Sequence, residues 1–263
     1  MIEIRALLLA AGIGLRLRPL TRHWPKCLMP VGGKALLEHW LCSFYREGIK
    51  KVLVNIHYHR AAMECFLERR YFSDWVSPVY ESELLGTAGT FIANAKYFEG
   101  ATVLLAHADN WCQCDLRDFL DYHSKSRPNN TLITMMTFRS NTPRSCGVVE
   151  LDANGIVQNM YEKVSNPPTD LANGAVYLIE PSVLDWLTRH PHITDFSTEV
   201  IPSFLGRIAT WENKGIHRDI GVVESLVAAQ KDAIGTPCWE QEDKWQVDFN
   251  SNSIHNELWS LSQ

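Results

Sequence analysis

The sequence predicts an α/β protein: a mixed, mostly parallel sheet with helices on both faces. Two observations carry that expectation. Short β-rich apolar runs alternate with helical stretches along most of the chain, the pattern of strands joined by covering helices. The first apolar run also opens directly into a glycine loop. The 263 residues suit one large domain, or one domain with a small appendage, and are ample for a core.

In order, residues 4–10 read as a buried strand and 36–47 as an amphipathic helix ending at Gly48. Residues 51–55 are the second strand, 61–68 the next helix and 76–80 a short strand. Residues 86–98 begin with a glycine turn and become helical. An apolar strand at 102–107 ends at Ala108-Asp109-Asn110. Residues 116–124 read as helical and 131–137 as β-rich. The runs 146–151 and 156–161 flank Asn154-Gly155, a strong hairpin signal. Residues 173–179 form a strand, 182–190 and 198–205 helices, and 208–211 another strand. Residues 219–231 start with a turn and run into a helix. From about Gly235 the chain turns polar, bears Trp239, Trp245 and Trp259, and loses periodicity. The expected division is therefore a domain at 1–235 and a tail at 236–263.

Composition narrows the function. The net charge of −5 argues against nucleic-acid binding, which usually needs a basic face. It leaves room for a nucleotide, because a few local cations outweigh a distant mean charge. The N-terminal residues do not read as a signal peptide, and no apolar run reaches the length of a membrane span. The expectation is a soluble cytoplasmic protein with no membrane association. Seven scattered cysteines, without a disulfide-like framework, agree with a reducing compartment. Cys112 and Cys114 have the wrong spacing for a zinc knuckle. His57 and His59 lack a third ligand and read as a partly exposed pair.

The stretch LAAGIGLRLRPLTRHWPKCLMPVGGK at residues 9–34 carries the chemistry. Gly12 and Gly14 let backbone N–H groups approach a ligand where a Cβ would clash. Arg16 and Lys26 add cations at fixed offsets. Each phosphate–cation pair at about 4 Å contributes roughly 4 kcal/mol at an effective dielectric near 20, before desolvation. The Walker pattern does not fit, since no Gly-Lys is followed by Ser or Thr at its spacing. The dinucleotide fingerprint fails as well, because Leu17 stands where it needs a third small residue.

With Arg16, the Pro19-Leu20-Thr21 turn and Pro25-Lys26, the stretch resembles the opening of the sugar-1-phosphate nucleotidyltransferases. Their pattern, LAAGxGxRLxPLTxxxPKxLxPVxGKPLLxH, is matched from Leu9 to His39, with Cys27, Met29 and Ala35 among the departures. Later motifs extend the likeness to about residue 230. The pattern is most similar to that of mannose- and heptose-1-phosphate guanylyltransferases. The resemblance implies a Rossmann-like nucleotide-diphospho-sugar transferase fold for residues 1–235. Larger members carry a β-helix built on hexapeptide repeats, and the tail has no such repeats. Packing over the sugar side, supporting a homodimer contact, or lying unstructured are the roles open to it.

The implied reaction is attack of a sugar-1-phosphate oxygen on the α-phosphorus of an NTP. Arg16 is then expected on the β- and γ-phosphates, and Lys26 against the α-phosphate and the attacking phosphate. The nucleotide would lie on Leu9, Ala11, Gly12 and Gly14. Asp109 and Asp219 are the expected ligands of Mg²⁺, a hard ion that takes one or two carboxylates plus phosphate oxygens. Asp219 lies in His217-Arg218-Asp219-Ile220-Gly221, where the family has Trp-x-Asp-Ile-Gly-Thr-Pro. Glu81-Ser82-Glu83-Leu84-Leu85-Gly86-Thr87-Ala88-Gly89 resembles the family's base-reading loop. Backbone amides of Gly86, Thr87 and Ala88 would meet a base edge, and the acceptor-only Glu83 suits the donors of guanine. Glu162 and Lys163 match the family's Glu-Lys-Pro and would hold sugar hydroxyls and phosphate. Asn173 would lie near the sugar, and Gly147 would leave room for the ring. Residues 195–199 read as a helix cap. GTP with mannose- or heptose-1-phosphate is the favoured pair. Uridylyl, cytidylyl or thymidylyl transfer, a phosphocholine acceptor, and a silent sugar-nucleotide-binding regulatory subunit stay open.

Overall fold

The structure is a computed structural model that describes residues 3–232, 235, 238, 239 and 241–261. Strand β1 (Ile4–Leu9) leads through single turns to β2 (Pro30–Val31), β3 (Lys34–Ala35) and helix α1 (Leu36–Arg46). Then follow β4 (Val52–Ile56), α2 (Arg60–Leu67), β5 (Val76–Tyr80), α3 (Thr87–Ala93), α4 (Ala95–Phe98), β6 (Thr102–His107) and β7 (Asn110–Cys112). The middle holds α5 (Leu116–Asp121), β8 (Ile133–Arg139), β9 (Gly147–Leu151), β10 (Val157–Glu162), β11 (Leu171–Ile179) and α6 (Pro181–Thr188). The chain ends in α7 (Ile201–Ser203), β12 (Ile208–Glu212), β13 (His217–Asp219), α8 (Val223–Ala229), α9 (Lys244–Asn250) and α10 (Ser253–Leu261). The main sheet runs β10-β9-β11-β6-β1-β4-β5, with β8 joined to β11 and β12 to β8. It is the mixed α/β sheet expected from the alternation of elements.

Two compact units are present, and neither is continuous in sequence. The first comprises residues 1–7, 85–106 and 113–217. Its centre is β11, antiparallel to β6, β8 and β9, with β12 parallel to β8. Val103, Leu104, Met135, Tyr177 and Phe196 are buried in its core. The β9–β10 hairpin turns as its Asn-Gly pair demands: Gly155 has φ 75°, and the Asp152 carboxylate accepts from the N–H groups of Asn154 and Ile156. The expected helix at 86–98 is divided at Asn94, whose side-chain amide bonds back to the Thr90 carbonyl.

The second unit comprises residues 8–84, 107–112 and 218–263. Strands β4 and β5 are parallel and in register from Val52↔Val76 to Ile56↔Tyr80. Helix α1 buries Leu36, Leu37, Trp40, Leu41 and Phe44, a helical-period stripe, and stops where Gly48 takes φ 71°. The C-terminal residues form α9 and α10, and both pack on this unit. Trp245 meets Phe66 edge to face, while Asp243 pairs with the buried Arg69 at 2.7 Å, which also binds Glu38 at 2.5 Å. Amphipathicity was hidden in the tail because each helix is short.

One expectation fails here. Cys42 on α1 and Cys238 form a disulfide across 196 residues of sequence, with Cα atoms 5.6 Å apart. Cysteine spacing carries no trace of that pairing, because the fold brings the two together only when the C-terminal segment docks on α1. Among the described residues no helix is long and apolar enough to cross a membrane.

Candidate active site

The glycine loop is built by close approach. Leu9 ends β1 with its carbonyl accepting from Ala108 N–H at 3.0 Å, and Ala11 is buried. Gly14 sits in the left-handed region at φ 68°, ψ 38°. A Cβ there would lie 2.8 Å from Thr21 Cγ2 and 3.2 Å from Lys26 Cβ, so only glycine lets the loop close over Lys26. Thr21 Oγ1 donates to the Gly14 carbonyl at 2.7 Å and ties the following turn to the loop. Gly12 is exposed and faces Asp109, whose Oδ2 would stand 3.9 Å from an added Cβ. Arg18 and Arg22 are exposed.

The charged centre gathers from three distant stretches of sequence. Lys26, only 7% exposed, places Nζ 2.5 Å from Asp109 Oδ2 and 3.3 Å from Asp219 Oδ1. Arg16 reaches Asp219 Oδ2 at 3.4 Å with most of its side chain in solvent. Two short strands missed by the periodicity make this possible. Strands β7 and β13 pair beside the two aspartates, and Ile220 N–H donates to the Asp109 carbonyl at 3.3 Å. Three residues are too few to show a period. Gly221 completes the cradle: a Cβ there would lie 2.7 Å from both Arg16 Nη2 and Asp219 Oδ2. Its position in Asp-Ile-Gly was the only signal for it.

Electrostatics set fixed charges. Burial by itself lowers the Lys26 pKa, but the Asp109 and Asp219 carboxylates outweigh it and hold the ammonium above its ordinary 10.5. Burial likewise raises that of Asp109, and Lys26 followed by His107 more than reverses it, so the carboxyl titrates below 3.8. The carboxylates of Asp109 and Asp219 converge on Lys26, and oxygen donors of this kind suit a divalent hard cation. Asp109 and Asp219 would hold Mg²⁺, with phosphate oxygens and water filling the remaining positions.

The expected base-reading segment is committed elsewhere in part. Ala88 N–H donates to the Thr194 carbonyl at 2.9 Å, and Thr87 Oγ1 accepts from Phe196 N–H at 2.7 Å. The Ala88 amide expected at a base edge is thus engaged within the fold, and the Thr87 hydroxyl, not its backbone N–H, anchors the same 194–200 turn. Gly86, at φ 81°, passes so close that a Cβ would lie 2.4 Å from the Thr194 oxygen. In that turn Asp195 caps as expected, accepting from Thr198 N–H at 2.8 Å. Glu83 is exposed, whereas Glu81 is buried. Glu81 accepts from Asn55 Nδ2 at 3.0 Å, and Asn55 Oδ1 accepts from Ala10 N–H at 2.7 Å, which links this segment to the loop after β1. Sequence reasoning could not tell Glu81 from Glu83, since two carboxylates two residues apart look alike until burial separates them. His57 and His59 hydrogen-bond the carbonyls of Glu81 and Thr21 at 2.8 and 3.1 Å.

The sugar-phosphate candidates lie in the first unit. Gly147 faces Glu162 across the β9–β10 ladder. A Cβ on Gly147 would lie 2.6 Å from Glu162 Oε2, so glycine there leaves that carboxylate its place beside the hairpin. Lys163 has φ 49°, donates its N–H to the Cys146 carbonyl, and places Nζ 3.2 Å from Glu162 Oε1. Ala175 has φ 51° in the irregularity that interrupts β11 after Asn173. Asn173 holds it, accepting from Ala175 N–H at 2.9 Å and donating to Tyr177 Oη at 2.6 Å. One N–H and one lone pair of that amide stay available to a ligand. Left-handed backbone at two non-glycine positions costs energy and concentrates at ligand sites.

Residues 5–235 match the family described as Nucleotidyl transferase. A mannose-1-phosphate guanylyltransferase of Mycobacterium tuberculosis is 30% identical over 88% of this chain and 65% of its own length. The catalytic subunit beta of the Drosophila melanogaster mannose-1-phosphate guanylyltransferase is 30% identical over 82% of this chain and 59% of its own. The chain thus spans less than two thirds of each relative. A putative glucose-1-phosphate thymidylyltransferase of Bacillus anthracis, solved with a sucrose, superposes with a TM-score of 0.76 at 19% identity, covering 89% of this chain and 98% of that one. HddC of Yersinia pseudotuberculosis gives 0.72 at 21%, covering 88% and 99%. Those two likenesses establish the fold, and the match over residues 5–235 makes the chain a member of the nucleotidyl transferase family.

Proposed function

We propose that the chain transfers a nucleoside monophosphate from an NTP to a sugar 1-phosphate, with GTP and mannose- or heptose-1-phosphate as the substrate pair. One observation carries the reading: a buried lysine bridges two aspartates at the mouth of a glycine loop, with an arginine on the outer carboxylate. The names of the relatives at 30% identity support the guanylyl and mannose parts of the assignment.

In the reaction an oxygen of the sugar phosphate bonds to the α-phosphorus. The bond from that phosphorus to the β-bridging oxygen breaks, and pyrophosphate leaves. A phosphate monoester is largely deprotonated at neutral pH, so the attacking oxygen needs no general base. The demand is to bring two polyanions together and hold them in line. Lys26 suits this as a permanent cation, because its raised pKa keeps it charged throughout the neutral range. It would face the α-phosphate, while the flexible Arg16 would follow the β- and γ-phosphates and the departing pyrophosphate. Mg²⁺ on Asp109 and Asp219 would supply further neutralisation of phosphate charge. Glu162, Lys163 and Asn173 would take the sugar hydroxyls and phosphate. An acceptor-only carboxylate in the 81–83 segment suits the guanine donors, and the exposed Glu83 is the free candidate.

The test is exchange of radiolabelled pyrophosphate into NTP, run with four NTPs against hexose and heptose 1-phosphates. Exchange confined to GTP with mannose- or heptose-1-phosphate is expected. Exchange with another base or sugar would reassign the specificity. No exchange with any pair would leave a sugar-nucleotide-binding protein as the better reading.

A further inference from the structure

The chain continues beyond residue 235, where the family match ends, and the added helices fold back on the turns that carry Lys26. Phe249, 2% exposed, stacks on Trp24 with ring centroids 5.9 Å apart and planes 23° apart. Trp24 donates its indole N–H to the Leu28 carbonyl at 2.8 Å, so its ring spans the turn that begins at Lys26. Helix α10 packs on the preceding turn, Leu20–Arg22, whose Thr21 is bonded to Gly14. Gln246, 1% exposed, donates to the Gly33 carbonyl and accepts from Lys34 Nζ, both at 3.0 Å. All of these contacts lie within one unit.

Turns of this kind hold themselves poorly. Each is a single three-residue 3-10 segment, and such segments take their place from what they pack against. Phosphoryl transfer by positioning tolerates errors of only about half an ångström. The helices that back the turns are in turn fastened by Asp243 on Arg69 and by the Cys42–Cys238 disulfide.

We infer that the C-terminal helix pair positions the triphosphate-binding turns, with Phe249 acting through Trp24, and that the Cys42–Cys238 bond latches it, so that nucleotide affinity follows the thiol–disulfide state of the protein. The inference rests on the site reading proposed above. Phe249 is a positioning residue, since it reaches the site through Trp24 and not by touching it. Opening the latch is a thiol–disulfide exchange. A dithiol such as dithiothreitol attacks one sulfur, the Cys42–Cys238 bond breaks, and the reagent closes to its cyclic disulfide. Two electrons and two protons pass to the protein as two thiols. The C-terminal segment then regains conformational freedom, and the backing of the turns loosens.

The experiment uses the full chain, with KM and kcat measured separately for GTP and mannose 1-phosphate. Reduction of the wild type should raise the KM for GTP several-fold and that for mannose 1-phosphate by clearly less, and reoxidation should restore both. Cys238→Ser should match the reduced protein and not respond to dithiothreitol. Phe249→Leu should raise the KM for GTP by up to about tenfold, the affinity equivalent of one aromatic pair, and Phe249→Tyr should recover it. A merely structural role would lower melting temperature without that split between substrates. Equal GTP KM values in the oxidised, reduced and Cys238→Ser proteins would overturn the latch. An unchanged value in Phe249→Leu would overturn the positioning role. If Phe249→Leu fails to fold, the reduced wild type decides alone. Absence of exchange and of GTP binding in the wild type would bring down the underlying site reading as well, an outcome distinct from normal kinetics insensitive to the tail.

Discussion

Replacing Lys26 with methionine removes the charge at the centre of the site while keeping the buried stem. Its Nζ lies 2.5 Å from Asp109 and 3.3 Å from Asp219, in a setting only 8% exposed for the side chain. At about 4 Å from a phosphate oxygen and an effective dielectric near 20, the lost attraction is roughly 4 kcal/mol, an upper bound because water and Mg²⁺ fill part of the gap. Loss of one transition-state donor typically lowers kcat by about 10²–10³. Turnover should fall by that amount, read as initial rates of pyrophosphate exchange at saturating substrates. Stability should change far less. Breaking a fully buried pair costs about 3–5 kcal/mol and an exposed one at most about 1. With Asp109 27% and Asp219 55% exposed, about 1–2 kcal/mol is expected, or a few degrees of melting temperature. The two carboxylates left facing each other should also make Mg²⁺ raise the melting temperature of the variant more than that of the wild type. Turnover within about threefold of wild type in a folded variant would refute the assignment.

Three further outcomes follow from the same geometry. Asp109→Asn should weaken the dependence of rate on Mg²⁺ and move the alkaline limb of the rate profile to lower pH, because one of the two charges raising the Lys26 pKa is gone; an unchanged metal titration and pH profile would count against it. In stability, Asp109 titrates below 3.8 when folded, so its contribution is complete above 3.8 and disappears as pH falls through the folded value. Lys26 titrates above 10.5, so its contribution holds below 10.5 and is lost as pH rises through the folded value; Lys26→Met should flatten both limbs in urea melts run across pH, and limbs like the wild type's would refute the pairing. Gly86→Ala should cost about 2–4 kcal/mol, since the new Cβ meets the Thr194 oxygen at 2.4 Å with φ at 81°; a melting temperature equal to wild type would show that the turn relaxes freely.

Much of this protein was legible where physics acts over a few residues. Leu9 to Lys34 could be read because glycine freedom, strand burial and the Pro-Lys offset are local properties. The β9–β10 hairpin was legible for the same reason, as the Asn154-Gly155 turn carries its own geometry. Short elements were not: β7 and β13 hold too few residues for a period, although they bring Asp109 and Asp219 onto one lysine.

What only the tertiary structure decided are relations between distant residues. Glu81 became buried and Glu83 exposed because Asn55, on a neighbouring strand, claims one of two similar carboxylates. The Ala88 N–H was claimed by the Thr194 carbonyl, a partner far along the chain. Cys42 met Cys238 across 196 residues only because the last helices dock on the same unit as α1. The chain by itself determined which groups bring charge and which turns leave room, since these are properties of side chain and backbone torsion. Which groups end up face to face depends on packing, where a contact between distant segments is settled by the burial and hydrogen bonding of the whole unit.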